Sequence, residues 1–185
     1  MLLVTVAMTL ASWGADRPAT AQPRDLSRVR VLAVAPFADD NPLSRPLAES
    51  GAVRLSELLR GGRLQVIDAA RVSAQMKTLG VQATDLISPS RTVALGHSLG
   101  ADAVLTGRVV QIFQEISRER SDGGVTFSIE SRAVVDMRIL EVGTRLILWQ
   151  EEMACSMPSL AAVAMECLVR QVAARLAALG ATGRN

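Results

Sequence analysis

Residues 125–139 place apolar and polar side chains at alternating positions, and this pattern constrains the fold more than any other part of the chain. One side of the pattern carries Val125, Phe127, Ile129, Ala133, Val135, Met137 and Ile139, and the other carries Thr126, Ser128, Glu130, Arg132, Asp136 and Arg138. A period of two residues is typical of a β-strand with one buried and one solvated face. Turn-forming sequences flank the stretch at residues 121–124 and 141–144. The sequence therefore predicts a three-stranded antiparallel meander.

The other predicted elements surround this meander. In chain order they are a buried strand at residues 29–37, a helix ending at Gly61 and Gly62, a strand at residues 63–68, a short helix ending at Gly80, and a helix beginning at Ser88 and Pro89. The meander then takes residues 103–114, 125–139 and 146–153, and an Ala/Leu-rich helix begins at Pro158. The order β-α-β-α-α-β-β-β-α predicts an α/β (mixed α+β) fold, with helices packed on a mixed sheet.

Residues 96–100 read Gly-His-Ser-Leu-Gly, a G-x-S-x-G string that marks the nucleophilic serine of α/β-hydrolases. That motif needs a strand before the serine and a helix after it, whereas here a predicted helix precedes Ser98 and a predicted strand follows it. The single histidine of the chain, His97, lies inside the string, so no downstream histidine can act as the base. We therefore predict no catalytic residue and a protein that is not an enzyme. Gly100 is instead expected to end a helix in the left-handed conformation.

The first 21 residues have the features of a secretory signal peptide. Residues 2–11 are a short apolar run, and Ala19-Thr20-Ala21 is a signal-peptidase type of sequence. We expect cleavage after Ala21, so that residues 22–185 form one soluble periplasmic domain; a buried amino-terminal helix is the alternative. No cysteine lies near the expected cleavage site, so we expect no lipid anchor, and no later apolar stretch approaches membrane-spanning length.

The charge pattern argues against nucleic acid as a partner. The net charge is +2 and the isoelectric point is about 8.9, but the arginines are dispersed among acidic residues. With three Phe, two Trp and no Tyr, the chain also lacks aromatic side chains on which bases could stack. We predict no nucleic-acid binding.

Metal and cofactor sites are not predicted either. One histidine and two cysteines do not make a tetrahedral zinc site, and no glycine-rich loop lies between a strand and a helix. Asp39 and Asp40 follow the first predicted strand, and Asp68 follows the second. Because the carboxyl ends of strands in α/β sheets often bind ligands, these three residues are weak candidates for ligand binding. A solvated loop is the alternative.

Cys155 and Cys167 are the two cysteines of the chain. An exported compartment favours a disulfide between them, which would join the last helix to the end of the last strand. Against this, the chain between them would have to fold back along a helix that starts at Pro158. A disulfide and two separate buried thiols therefore both remain open.

Three short stretches carry a resemblance to a known superfamily. They are VRVLAVAPFAD at residues 29–39, LQVIDAARVSAQMKTLG at residues 64–80 and ALGHSLGADAVLTGRV at residues 94–109. They resemble the superfamily of the TolB amino-terminal domain, the curli-secretion lipoprotein and the outer-membrane activators of penicillin-binding proteins. MRILEVGTRLILW at residues 137–149 is similar to the hairpin of that family but departs from it. Glu141 stands where Asp is usual, and Gly143 precedes Thr144 instead of following it.

The resemblance implies a domain that acts by binding other envelope proteins. We therefore predict a non-enzymatic periplasmic interaction module in cell-envelope assembly or transport, whose partner the sequence does not identify. The expected surfaces are the polar face of residues 125–140 and the loop after Phe37. A periplasmic small-ligand-binding domain is the alternative, and a serine hydrolase using Ser98 is the least favoured interpretation.

Overall fold

The computed structural model describes residues 26–121 and 124–182. The helices are α1 (Arg45–Leu59), α2 (Ala69–Leu79), α3 (Pro89–Leu99) and α4 (Ala161–Thr182), and the strands are β1 (Val31–Val34), β2 (Gln65–Val66), β3 (Ala103–Ser121), β4 (Gly124–Glu141) and β5 (Ile147–Met157). Short 3-10 helices occupy Leu26–Arg28 and Ala83–Ile87. The predicted order of elements and the mixed α+β class are confirmed. The predicted signal peptide lies outside the described residues.

The five strands form one sheet in the order β2-β1-β3-β4-β5. β1 pairs in parallel with β2 and β3, and the predicted antiparallel meander of β3, β4 and β5 is confirmed. A β-bulge interrupts the pairing of β3 with β4 between Val109 and Gln111. No helix of the described residues is long and apolar enough to span a bilayer.

Each face of the sheet has its own apolar core. On the face that we call the α4 face, α1 and α4 cover Leu32, Leu105, Val135, Met137, Ile139 and Trp149. On the opposite face, which we call the α3 face, α2 and α3 cover Ala33, Val104 and Leu140. α2 and α3 end where the sequence predicts, because Gly80 and Gly100 adopt left-handed φ angles of 63° and 67°. α1 ends at Leu59, with Arg60 as its C-cap residue, just before the predicted Gly61 and Gly62.

Several predicted element boundaries are wrong. β1 covers only Val31–Val34 of the predicted residues 29–37, and β2 covers only Gln65–Val66 of the predicted residues 63–68. β5 continues to Met157 because Ser131 and Ala133 of β4 still pair with Met157 and Cys155. α4 accordingly begins at Ala161 and not at Pro158, and its first amide donates to the side chain of Gln114 (3.0 Å).

Cys155 and Cys167 form a disulfide, with a Cα–Cα distance of 6.1 Å. The longer β5 makes this possible. Cys155 lies two residues before the end of β5, and Cys167 lies about 9 Å along α4 from Ala161 at 1.5 Å per residue. Because α4 runs back over the sheet, the distance that β5 covers after Cys155 is offset by the distance that α4 covers before Cys167, and the two cysteines come together. The disulfide therefore fastens α4 to the β5 edge of the sheet.

Candidate interaction surface

The two predicted surfaces lie side by side. The loop after Phe37 joins the sheet at Ala38, whose N–H donates to the carbonyl of Gly107 (2.8 Å) and whose carbonyl accepts from the N–H of Val109 (2.8 Å). Beyond Ala38, Asp40 pairs with Arg108 of β3 (3.5 Å). The loop and the polar side of the meander are therefore one continuous surface on the α3 face of the sheet.

Cross-strand pairs build the rest of this surface. Arg108 of β3 lies opposite Asp136 of β4, which lies opposite Glu152 of β5. The amide of Gln150 donates to the Asp136 carboxylate at 3.5 Å. We define the polar surface as Asp40, Arg108, Asp136, Arg138, Gln150 and Glu152. It combines two arginines with three carboxylates, a composition that suits recognition of a protein surface with complementary charges.

Arg138 is a partly buried member of the polar surface. Its guanidinium donates to the carbonyls of Leu86 (2.6 Å) and Ile87 (2.5 Å) and to the hydroxyl of Thr106 (3.2 Å). Burial lowers the pKa of Arg138 below its ordinary value, and the charge of Asp136 opposes this shift. Because its donors are engaged, Arg138 holds the 3-10 helix Ala83–Ile87 against the sheet and leaves Arg108 as the exposed cation of this surface.

A cleft of about 110 Å³ lies between that 3-10 helix and the strands. Thr106 and Gly107 line it together with Arg108 and Asp136, and Ile87 is half exposed beside it. Pockets for small organic ligands usually enclose about 300–1,000 Å³. A cleft of this size therefore fits a single side chain of a protein partner better than a cofactor.

The structure separates the three candidate ligand-binding carboxylates. Asp39 is buried, and its Oδ1 accepts from the N–H of Asn41 (2.9 Å), while its Oδ2 has no hydrogen-bond partner among the described residues. Asp40 pairs with Arg108 of β3, whereas Asp68 pairs with Arg60, the residue after α1. The structure therefore does not bring the three carboxylates together around one ligand.

Asp68 has a structural role. Its carboxylate accepts from the N–H of Ala70 (2.8 Å) and caps α2. That hydrogen bond, followed by the one from Arg60, lowers the pKa of Asp68 below its ordinary value of 3.8. No group of three histidine, cysteine or carboxylate side chains in the described part of the chain could hold a metal ion. Ligand binding by Asp39, Asp40 or Asp68 stays a prediction.

Ser98 lies in the last turn of α3, and β3 begins only at Ala103. The hydroxyl of Ser98 donates to the carbonyl of Leu95 (2.8 Å), one turn earlier in the same helix. Both glycines of the string have a packing or turn function. A Cβ at Gly96 would collide with Val142 and lie 2.9 Å from Val104, and Gly100 ends the helix in the left-handed conformation. Close packing and helix termination thus account for the G-x-S-x-G string.

Asp102 has a structural role that was not predicted from the sequence. Its carboxylate accepts from the N–H groups of Arg30 (2.9 Å) and Val31 (2.8 Å), and its backbone bonds to Val31 and Val142 (2.9 and 2.8 Å). This one residue joins the start of β1 to the start of β3 and the end of β4. Its position directly after Gly100 and Ala101, where α3 ends, could have indicated this role, but an acidic residue at such a position is also typical of a solvated turn.

Solved structures of low sequence identity share this fold. A variant of the PelC dodecamer from Paraburkholderia phytofirmans superposes with a TM-score of 0.53 at 17% identity, over 86% of this chain and 96% of that chain. The hypothetical protein CT253 from Chlamydia trachomatis gives a TM-score of 0.51 at 17% identity, over 83% of this chain and 98% of that chain. At these identities the similarity shows the fold alone. No curated protein matches the chain.

A match to a protein family shows more than the fold. Residues 46–155, from α1 to Cys155 in β5, match the family described as peptidoglycan-synthase activator LpoB. This supports the activator branch of the resemblance and gives no support to its TolB and curli-secretion branches. It also gives no support to the expected lack of a lipid anchor. The match covers more than half of the 185 residues, and the chain therefore belongs to the peptidoglycan-synthase activator LpoB family.

Proposed function

We propose that this protein is a non-enzymatic component of the cell envelope that binds a peptidoglycan synthase through the polar surface and increases its activity. The observation that carries the proposal is the family match, because the matched residues 46–155 include every member of the polar surface except Asp40. An activator needs an exposed recognition surface and no reacting groups. The position of Ser98 within a helix agrees with that requirement.

The polar surface supports the proposal by its position. α2 and α3 cover the β1 side of the α3 face, whereas Arg108, Gln150 and Glu152 at the meander side are exposed. These side chains project from paired strands, which hold them in fixed positions and reduce the entropy lost on binding. We place the action in the periplasm, with the chain starting at Gln22 after removal of the signal peptide.

Binding to the peptidoglycan synthase of the same organism tests the proposal. We expect the purified protein to bind the synthase and to raise its rate of glycan polymerisation. Arg108→Glu should weaken binding at least tenfold, because it reverses the most exposed positive charge of the polar surface. Lys77→Glu, which makes the same change on the exposed side of α2, is the matched control and should bind as the wild type does.

The outcomes separate the two parts of the proposal. If the wild type neither binds nor stimulates the synthase, the proposed function is wrong. If it stimulates the synthase and Arg108→Glu does so equally well, the function stands and the polar surface is the wrong site. Labelling by an active-site serine probe that disappears in Ser98→Ala would overturn the non-enzymatic part.

A further inference from the structure

The outer half of the β3–β4 hairpin extends beyond the rest of the sheet. β1 pairs with β3 only as far as Leu105, with one further bridge from Ala38 to Arg108. On the other side, the pairing of β5 with β4 stops at Met157, opposite Ser131. Residues 115–121 of β3 and 124–130 of β4 therefore pair only with each other among the described residues, and we call them, together with residues 111–114 of β3, the ribbon. A two-stranded ribbon alone is marginally stable in water.

One face of the ribbon continues the apolar core without a cover. Ile116 lies opposite Ile129, and Arg118 lies opposite Phe127, all on the α4 face. The cover ends where Gln114 accepts from the first amide of α4. Beyond that point Ile116 is 60% exposed and Phe127 is 63% exposed. The exposed stripe is apolar except for Arg118, whose guanidinium lies 5.8 Å from the centre of the Phe127 ring, and exposed apolar patches are common at interaction sites.

The two free edges of the ribbon differ in charge. The β3 edge carries Glu115 and Arg118, and its sequence continues with Glu119 and Arg120. The β4 edge reads Gly-Val-Thr-Phe-Ser-Ile over residues 124–129 and has no charge before Glu130. Charged side chains are a common means by which edge strands avoid pairing with other chains. The β3 edge therefore has this protection, and the β4 edge lacks it.

The β4 edge is complementary to the same edge of a second copy of the chain. Its free stretch, residues 124–130, has Phe127 at its centre, so two copies in antiparallel register place Phe127 against Phe127 and Val125 against Ile129 of the second copy. Thr126 then faces Ser128 and Glu130 faces Gly124, so that apolar side chains meet apolar ones and no two like charges are opposed. The β3 edge is not self-complementary in this way, because antiparallel pairing of two copies centred on Ser117 would place Ile116 opposite Arg118.

We propose that two copies of this chain associate edge to edge along residues 124–130 of β4, with a two-fold axis at Phe127. The two ribbons then form a four-stranded sheet, and their apolar stripes join into one continuous face. A groove of about 510 Å³ on the α3 face, between Phe113, Glu130 and Pro158, lies beside the end of β5 and is not part of this interface. This proposal does not depend on the proposed function, since the polar surface lies on other residues.

Sedimentation across a range of concentrations tests this association. We expect the wild-type protein to form a reversible dimer. Phe127→Glu opposes two negative charges at the two-fold axis and should weaken the dimer at least tenfold. Phe113→Glu is the matched control, because it changes an exposed phenylalanine of the same ribbon that lies on the α3 face and outside the interface. It should dimerise as the wild type does, and circular dichroism should show both variants folded.

A cross-link tests the register directly. Phe127→Cys should form an intermolecular disulfide under mild oxidation, because the axis brings its two copies together, whereas Ser117→Cys on β3 should not. A wild type that stays monomeric at the highest concentration would overturn the proposal, including the case in which the monomer binds lipid vesicles. A higher oligomer that Phe127→Glu leaves intact, or equal cross-linking of both cysteine variants, would also overturn it.

Discussion

The inner and outer halves of β4 have the same alternating sequence and opposite surroundings. In the inner half, Val135, Met137 and Ile139 point to the α4 face and are at most 1% exposed. In the outer half, Val125 and Phe127 continue the same face and are exposed. The prediction of one half-solvated strand is therefore right for the inner half and wrong for the outer half. Alternation specifies the side to which a residue points, but it does not specify what covers that side.

Other parts of the chain set the boundary between the two halves. β5 ends at Met157, and the next residue, Pro158, has no N–H with which to continue the ladder. Three residues later α4 begins and turns back over the inner half. The extent of the covered face therefore depends on where β5 and α4 meet, about thirty residues after the ribbon.

The largest expected effect is a difference in the free energy of unfolding between alanine variants of two isoleucines on the α4 face. Ile139→Ala removes a side chain that is 1% exposed, and it should lower the free energy of unfolding by about 2–5 kcal/mol. Ile116→Ala removes one that is 60% exposed, and it should change that free energy by less than about 0.5 kcal/mol. Urea denaturation at concentrations low enough to keep the protein monomeric measures both values. Equal losses would mean that the ribbon is covered in solution.

The second expected effect concerns the disulfide at the junction of the two halves. Cys155 pairs across the ladder with Ala133, close to the last residue of β4 that β5 covers. Because the cross-link closes a short loop, Cys155→Ser should lower the free energy of unfolding by about 3 kcal/mol in the chain-entropy view. Thermal and urea denaturation of Cys155→Ser, Cys167→Ser and the double variant measure this loss.

Two controls connect this loss to the disulfide. The double variant should lose no more than either single variant, and a reducing agent should destabilise the wild type alone. Hydrogen exchange should become faster in β5 and α4 and stay unchanged in the ribbon. A wild type whose melting temperature does not respond to reduction would contradict the prediction.

The order of elements was predictable because each signal is local. Alternation specifies the strands, and Gly80 and Gly100 specify the helix ends. What the sequence could not show depends on distant contacts. Asp102 acts through Arg30 and Val31, which lie about seventy residues earlier in the chain. The close approach at Gly96 depends on Val142, which belongs to the turn after β4.

The candidate site shows the same division. The polar side of β4 could be predicted from its period of two residues, and the loop after Phe37 could be predicted from its acidic residues. Their adjacency depends on Arg108, which pairs with Asp40 across 68 positions of sequence. The role of Asp68 as a helix cap could have been predicted, because an Asp directly before a helical stripe is a standard capping signal.

The smallest expected effect is a stabilisation at the turn between β4 and β5, which belongs to the covered half of the sheet. The resemblance places a glycine after Thr144, and here Arg145 occupies that position with a φ of 61°. A non-glycine residue in this conformation costs about 1–2 kcal/mol, and part of the gain from relieving it is offset by the greater freedom of glycine in the unfolded chain. Arg145→Gly should therefore raise the free energy of unfolding, measured by urea denaturation, by about 0.5–1 kcal/mol.

Ser128→Gly in the ribbon is the control for this stabilisation, because it places a glycine in the uncovered half of β4, whereas Arg145 lies in the turn at the covered end. It should leave the global unfolding transition of the monomer within about 0.5 kcal/mol of the wild type, since the ribbon can open without unfolding the covered half. If Ser128→Gly shifts the global transition as much as Arg145→Gly does, the two halves of β4 unfold as one unit, and the contrast between them does not extend to their stability.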